Sequence, residues 1–157
     1  PIKQQPMSLV IQKATELGVS KIIPCLTEFT NIKSMNINNL VLNAKEAAEQ
    51  SERMDLPIIE KPVELKSLLK SLPKDRYLIY CDEKLHHDNN IIKSLLSLKG
   101  KVKKWSILVG PEGGFSDSEQ KLINKTNNVV AVSLGKRLLR CDTAIIVSLF
   151  CVKELLN

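Results

Sequence analysis

Glu112 sits among three glycines, in Gly110-Pro111-Glu112-Gly113-Gly114, and is the first group in this chain with evident chemistry. A carboxylate there repels a phosphate and suits a cationic, hydrogen-bonding or proton-accepting partner. The turn has neither the Gly-x-Gly-x-x-Gly order of a dinucleotide fold nor the closing Gly-Lys-Ser/Thr of a P-loop, so it does not read as a phosphate cradle. Its glycines are able to take positive φ and let a ligand approach the backbone without interference from Cβ. The plainer alternative is a tight turn whose Gly and Pro serve geometry alone. A second chemical cluster, Leu134-Gly135-Lys136-Arg137-Leu138-Leu139-Arg140-Cys141-Asp142-Thr143-Ala144, gathers three cations and a carboxylate about twenty residues later.

Both clusters lie where a strand hands over to a helix. Ser106 to Val109 is mostly apolar, as a buried parallel strand should be, and Ser116 with Glu119 has the spacing of a capping box, so a helix starts near Asp117. The apolar run Val129 to Leu134 precedes the second cluster, and the apolar stretch Ile145 to Leu156 follows it. Asp142 or Cys141 stands where an N-cap belongs, and Asp142 also favours the positive end of the helix dipole. That last helix is apolar on nearly every side and must be buried, in this chain or against a partner. In open α/β sheets, ligands gather outside such strand ends.

The remaining elements alternate. Met7, Val10, Ile11, Ala14 and Leu17 recur at helical spacing, and Gly18 follows as a C-cap. A strand is expected at Lys21 to Leu26, an extended polar loop at Thr27 to Asn39, and a second helix through Leu40, Val41, Ala44, Ala47 and Ala48. Pro57 to Ile59 reads as a short strand, Pro62 to Leu72 as a helix, Tyr77 to Cys81 as a strand, Asp82 to Asn90 as a polar turn, and Ile91 to Leu98 as a helix. Alternation of this kind argues for a parallel sheet covered on both faces.

With 157 residues, the chain is long enough for one compact α/β domain. Its net charge of +6 suits a polyanionic partner. Lys99, Lys101, Lys103 and Lys104 also fit a merely solvated loop. The cysteines Cys25, Cys81, Cys141 and Cys151 form no C-x-x-C pair and read as small buried hydrophobes, in keeping with a reducing, cytoplasmic setting. No apolar run reaches the roughly 18 residues of a membrane span, so no membrane is expected. His86 and His87 are adjacent and read as a loop or helix-edge pair rather than a zinc site, so no metal is expected.

The two clusters together resemble the knotted SPOUT methyltransferases, specifically the family that methylates N3 of a uracil in 16S ribosomal RNA. Ile11 to Val19 and Glu46 to Arg53 look like two further signature segments, in the family's order. The resemblance runs from about Met7 to Leu156. Asp142 stands where the family generally has Glu, and Cys141 where Thr is frequent. The implied fold is a parallel sheet flanked by helices with a C-terminal trefoil knot. Residues 1–157 read as the methyltransferase domain, and the family's N-terminal RNA-binding β-barrel domain is not expected within them.

The resemblance also implies a cofactor, S-adenosylmethionine, a homodimer, and small-subunit ribosomal RNA as partner. Leu108, Val109, Gly110 and Gly113 in the first turn, and Leu134, Gly135, Leu138 and Leu139 in the second, would hold the cofactor, with Thr143 hydrogen-bonding nearby. Arg140 would stabilise a developing uracil oxyanion, or alternatively pair with Asp142 or a phosphate. Glu112 is the candidate base, with capping of backbone N–H groups or cofactor binding as equal alternatives. Lys136, Arg137 and Arg53 would meet RNA phosphates. The competing reading is a non-catalytic RNA-binding or dimerisation module that keeps the fold. A hydrolase or reductase would need a nucleophile elbow or dinucleotide signature that this sequence lacks.

Overall fold

The computed structural model describes residues 4–30, 35–85, 89–101 and 103–156. The His86–His87 pair and part of the Thr27–Asn39 loop lie outside them. Helix α1 (Gln4–Glu16) ends in a Schellman turn, where Gly18 takes φ +85° and the Val19 N–H donates to the Ala14 carbonyl. Strands β1 (Lys21–Ile22) and β2 (Cys25–Leu26) replace the single strand expected over residues 21–26, because Pro24 cannot donate to a ladder. β1 pairs in parallel with β3 (Ile58–Ile59), and β2 with β4 (Val63–Glu64).

Helix α2 (Ile37–Gln50) is capped by Asn36, whose side chain accepts from the Asn39 N–H. Helix α3 (Leu65–Lys70) is shorter than the helix expected from Pro62. The chain at Val63 is recruited as a strand by the Pro24 carbonyl, 3.0 Å from the Val63 N–H. Tertiary pairing here outweighs a local leucine pattern.

The main sheet has the order β6-β5-β7 and is parallel throughout: β5 (Arg76–Cys81), β6 (Lys104–Val109) and β7 (Val129–Val132). Helices α4 (Ile91–Leu98), α5 (Asp117–Lys125) and α6 (Cys141–Leu156) complete the chain. Central strand β5 is buried on both faces. Leu78 and Tyr80 join Leu65, Leu69, Leu108, Phe115 and Ile123 on one side. On the other, Ile79 packs with Ile91, Leu95 and Val132, and half-buried Val152, Leu155 and Leu156 of α6 close that cluster. A third cluster, Ile11, Leu40 and Ala44, joins α1 to α2 above β1 and β3.

Helix α6 starts at Cys141, so Cys141 and Asp142 lie in its first turn rather than at its N-cap. Only Ala144 and Ser148 of this helix are buried within the chain, and Phe150 is 55% exposed.

Arg53 serves the fold. Its Nη1 donates to the Thr15 carbonyl at 2.8 Å and its Nη2 to the Val19 carbonyl at 2.9 Å, while Nε and Nη2 also meet Asp55. Its side chain is 11% exposed, so the charge-assisted bonds to the two carbonyls are partly shielded from water, while Asp55 is 74% exposed. Arg53→Ala should therefore destabilise the chain by about 2 kcal/mol, the worth of hydrogen bonds to a charged group plus two stranded carbonyls. Arg53→Lys should recover less than half, because an ammonium lacks the fork. Thermal melts of both variants check this.

Candidate active site

Parallel pairing aligns the ends of three strands. Cys81 is opposite both Val109 and Val132, so the turns after β5, β6 and β7 open at one edge of the sheet. Between them lies a cleft of about 570 Å³. That volume falls within the roughly 300–1,000 Å³ of small-ligand sites. Tyr80 to Glu83 line one wall, Val109 to Glu112 a second, and Ser133 to Cys141 the third.

The glycine turn is a four-residue turn closed by the Gly114 N–H donating to the Pro111 carbonyl at 2.8 Å, with Glu112 at its crown. Of its three glycines only Gly114 takes positive φ, at +67°. Gly110 is needed for close approach instead, since a Cβ there would stand 2.9 Å from Cε2 of Phe115. Phe115 is buried edge-on against Tyr80, with ring centroids 5.6 Å apart, and so anchors the turn to β5. Behind it the Ser116–Glu119 capping box is complete. The Glu119 carboxylate also accepts from the Glu28 N–H at 2.9 Å, and Phe29 lies over Gly113. The segment expected to be an open loop at Thr27 is thus docked on the back of the glycine turn as far as Thr30.

The third wall turns at Gly135, with φ +124°, and Ser133 is buried beneath it. The Ser133 backbone accepts from the Ile91 N–H and donates to the Asn89 carbonyl, which ties this wall to the start of α4. Arg140 is exposed, and its Nη2 lies 3.3 Å from Asp142 Oδ2. Asp142 in turn accepts from the Thr143 N–H.

The structure brings together most of the residues singled out from sequence. Glu112, Arg140, Val109, Gly110, Leu134, Gly135, Leu138 and Leu139 all line the cleft. Lys136 and Arg137, expected to meet RNA phosphates, line it too and are exposed. Four stand elsewhere. The Leu108 side chain is in the core, Gly113 backs onto Phe29, Thr143 is exposed beside Asp142, and Arg53 is engaged at the end of α1.

Sequence reasoning did not single out Gln120, Ser133 or Cys141 as cleft residues. Asp82 and Glu83 follow directly after β5, in the strand-end turn at residues 80–83 that the family resemblance implies should meet the other two.

Burial pushes the Cys141 thiol from its ordinary 9.0 up to about 11, helped by Asp142 and Glu112, and the Cys81 thiol up to about 12. Both therefore stay protonated at neutral pH. An unfolded thiol ionises near 9.0, so their contribution to stability is whole below that pH and is lost as pH rises toward 11 and 12. With the Cys141 pKa two units above the ordinary value, alkylation of Cys141 by iodoacetamide at pH 8 should run about a hundredfold slower than that of a free thiol. Mass-mapped alkylation time courses measure it.

An α/β domain with a ligand cleft at aligned parallel strand ends and a charged rim is the class this architecture defines. The chain belongs to the RNA methyltransferase domain family, which matches residues 1–153. It is 38% identical over 154 residues to a ribosomal RNA small subunit methyltransferase E of Rickettsia conorii, covering 98% of this chain and 62% of that relative. A Legionella pneumophila protein solved in complex with SAM superposes with a TM-score of 0.82 at 28% identity, over 97% of this chain and 62% of that one. A small subunit methyltransferase E of Neisseria gonorrhoeae, 24% identical with a TM-score of 0.80 over 98% of this chain and 62% of that one, shows the shared fold. The chain thus spans about 62% of the length of each of these relatives.

Proposed function

We propose that this chain is the catalytic domain of a cytoplasmic, S-adenosylmethionine-dependent methyltransferase acting on N3 of a uridine in small-subunit ribosomal RNA. The observation that carries the reading is the convergence of both signature clusters on one cleft in a chain of the RNA methyltransferase domain family. The Rickettsia relative's name supplies the ribosomal RNA, and the Legionella complex supplies the cofactor.

The residues present fit that cofactor. Leu134, Leu138 and Leu139 offer apolar surface for an adenine, and the backbone at Gly114 and Gly135 is free of Cβ. Asp82 and Glu83 bring carboxylates to a ligand carrying a sulfonium and an ammonium. When bound, S-adenosylmethionine supplies an electrophilic methyl carbon, so the chain must align donor and acceptor and make the acceptor nitrogen nucleophilic.

Uracil N3 carries a proton that must leave. The Glu112 carboxylate, exposed at the crown of its turn, is the assigned acceptor, and the Arg140 guanidinium is the assigned partner for negative charge growing on the uracil oxygens. Asp142, at 3.3 Å, holds that guanidinium at the cleft rim. Lys136 and Arg137 would position the RNA backbone, and Arg53 would reach RNA only through the donor its structural bonds leave over.

The reading extends to the knot and to a homodimer. Residues 133–141 line the same cleft as the turns after β5 and β6, the proximity that a SPOUT trefoil requires. The half-buried apolar surface of α6 supports an interface with a second copy.

Leu138 is 77% exposed at the cleft, so Leu138→Asp should leave the thermal midpoint unchanged. It should weaken S-adenosylmethionine binding by about tenfold in a calorimetric titration, roughly what a few buried methylenes contribute. Arg140→Ala should keep cofactor affinity within a few fold and lose about a hundredfold or more in methyl transfer, the scale of removing one charge-stabilising group. A folded wild-type chain that takes up no S-adenosylmethionine, or one whose product carries the methyl anywhere other than uridine N3 by mass spectrometry, would overturn the assignment.

A further inference from the structure

The positive charge of this chain is gathered at the end of the main sheet opposite the cleft. Because β5, β6 and β7 are parallel and in register, the segments leading into them share one end. β5 is entered past Lys70 and Lys74, β6 past Lys99, Lys101 and Lys103 with Lys104 as its first residue, and β7 past Lys125. With half-buried Arg76, these segments hold eight of the chain's 23 Lys and Arg residues and only one, Asp75, of its 17 Asp and Glu residues. The remainder of the chain is close to neutral, so the net charge of +6 is a property of this pole. All seven lysines are exposed. At the far end of α6, Lys153 and Glu154 add one charge of each sign.

Local duties do not account for the whole set. Lys101 donates to the Ser97 carbonyl at the end of α4, Lys104 pairs with Asp75, and Lys70 and Lys125 sit where cations offset helix dipoles. Lys74 and Lys103 stand outside every helix, and neither they nor Lys99 has an ion-pair partner among the described residues. Gathering like charges costs self-repulsion unless an anion is shared among them. A recess of about 390 Å³ lined by Asp75, Tyr77, Lys101, Lys103 and Lys104 opens at this pole. Its Tyr77 packs at 5.8 Å from Trp105 and both rings are half-buried, so among the described residues of these segments no aromatic side chain is fully exposed as a membrane anchor would be.

We propose that this pole is a second RNA-binding surface, which grips the sugar–phosphate backbone of the ribosomal RNA away from the nucleotide in the cleft. It rests on the reading of ribosomal RNA as substrate. Six-residue strands separate the two sites by roughly 20 Å, about twice the Debye length at 0.1 M salt. The pole therefore adds affinity and orientation without altering the electrostatics of the cofactor site.

The triple variant Lys74→Gln, Lys99→Gln and Lys103→Gln tests this, with binding of a helical fragment of small-subunit ribosomal RNA followed by anisotropy across salt concentrations. Loss of three phosphate contacts should flatten the slope of log affinity against log salt by about 2–3 and weaken binding roughly tenfold or more at 0.1 M salt. S-adenosylmethionine affinity, measured on the same samples, should be unchanged. An unaltered slope and affinity would overturn the pole while leaving the methyltransferase reading intact. Wild-type protein that binds vesicles containing phosphatidylglycerol but not the RNA fragment would overturn it in favour of a membrane surface. Failure of wild type to bind S-adenosylmethionine would instead fault the cofactor assignment, and the RNA slopes would still decide the pole.

Discussion

The register of the central strand is the constraint on which the rest of the molecule depends. β5 is hydrogen-bonded on both sides, and its last residue, Cys81, is level with Val109 and Val132. A slip of one residue on either side would move each neighbouring strand's side chains to the opposite face. Leu108 would leave the cluster it shares with Tyr80 and Phe115, and Val132 the one it shares with Ile79 and Leu95. The same register makes three turns open together, so a packing requirement in the core builds the cleft at the edge. Chemistry can then reside in short loops whose ends are fixed by a rigid sheet.

Two walls of that cleft are also held from behind. The glycine turn is clamped by Phe115 on Tyr80, by the capping box at Ser116, and by Phe29 and Glu28 reaching from the first third of the chain. The last wall is tied through Ser133 to the start of α4. Glu119 links two of these supports, because one carboxylate accepts from both Ser116 and Glu28. The catalytic candidates Glu112 and Arg140 therefore lie on exposed crests whose backbone is over-determined by contacts that a ligand does not need to touch.

Much of this was legible wherever a local signal had a local cause. Ser116 with Glu119, Gly18 after α1, and the apolar runs at β5, β6 and β7 each specify their own element, and the structure keeps them all. The misreadings share a different origin. The strand at residues 21–26 breaks at Pro24, and Val63 leaves an expected helix because the Pro24 carbonyl, far earlier in the chain, requires a donor. Phe29 over Gly113 and Arg53 on Thr15 and Val19 are likewise long-range matches without a spacing rule in the sequence. The second cluster was visible as a motif, but its union with the first turn came from the family resemblance, since periodicity says nothing of which loops meet.

Charge has the same dependence on the fold. Along the sequence the lysines near residue 100 fit an ordinary solvated loop, and only the parallel sheet adds Lys70, Lys74 and Lys125 to them at one end. At the other end the cations Lys136, Arg137 and Arg140 are interleaved with Asp82, Glu83 and Glu112, and Asp142 pairs with Arg140. A mixed-sign cleft discriminates by geometry, because each charge must find its complement, whereas a single-sign pole attracts any polyanion and orients it weakly. On the proposed reading, the two ends would divide the work of handling a large anionic substrate. The pole would raise local concentration over distances that salt can tune, and the cleft, whose charges nearly cancel beyond a Debye length, would admit only what fits. The apolar flank of α6 runs from the cleft at Cys141 and Ala144 toward the opposite end. Covering it with a second copy would leave both charged ends facing solvent, so association through that helix is compatible with simultaneous use of pole and cleft.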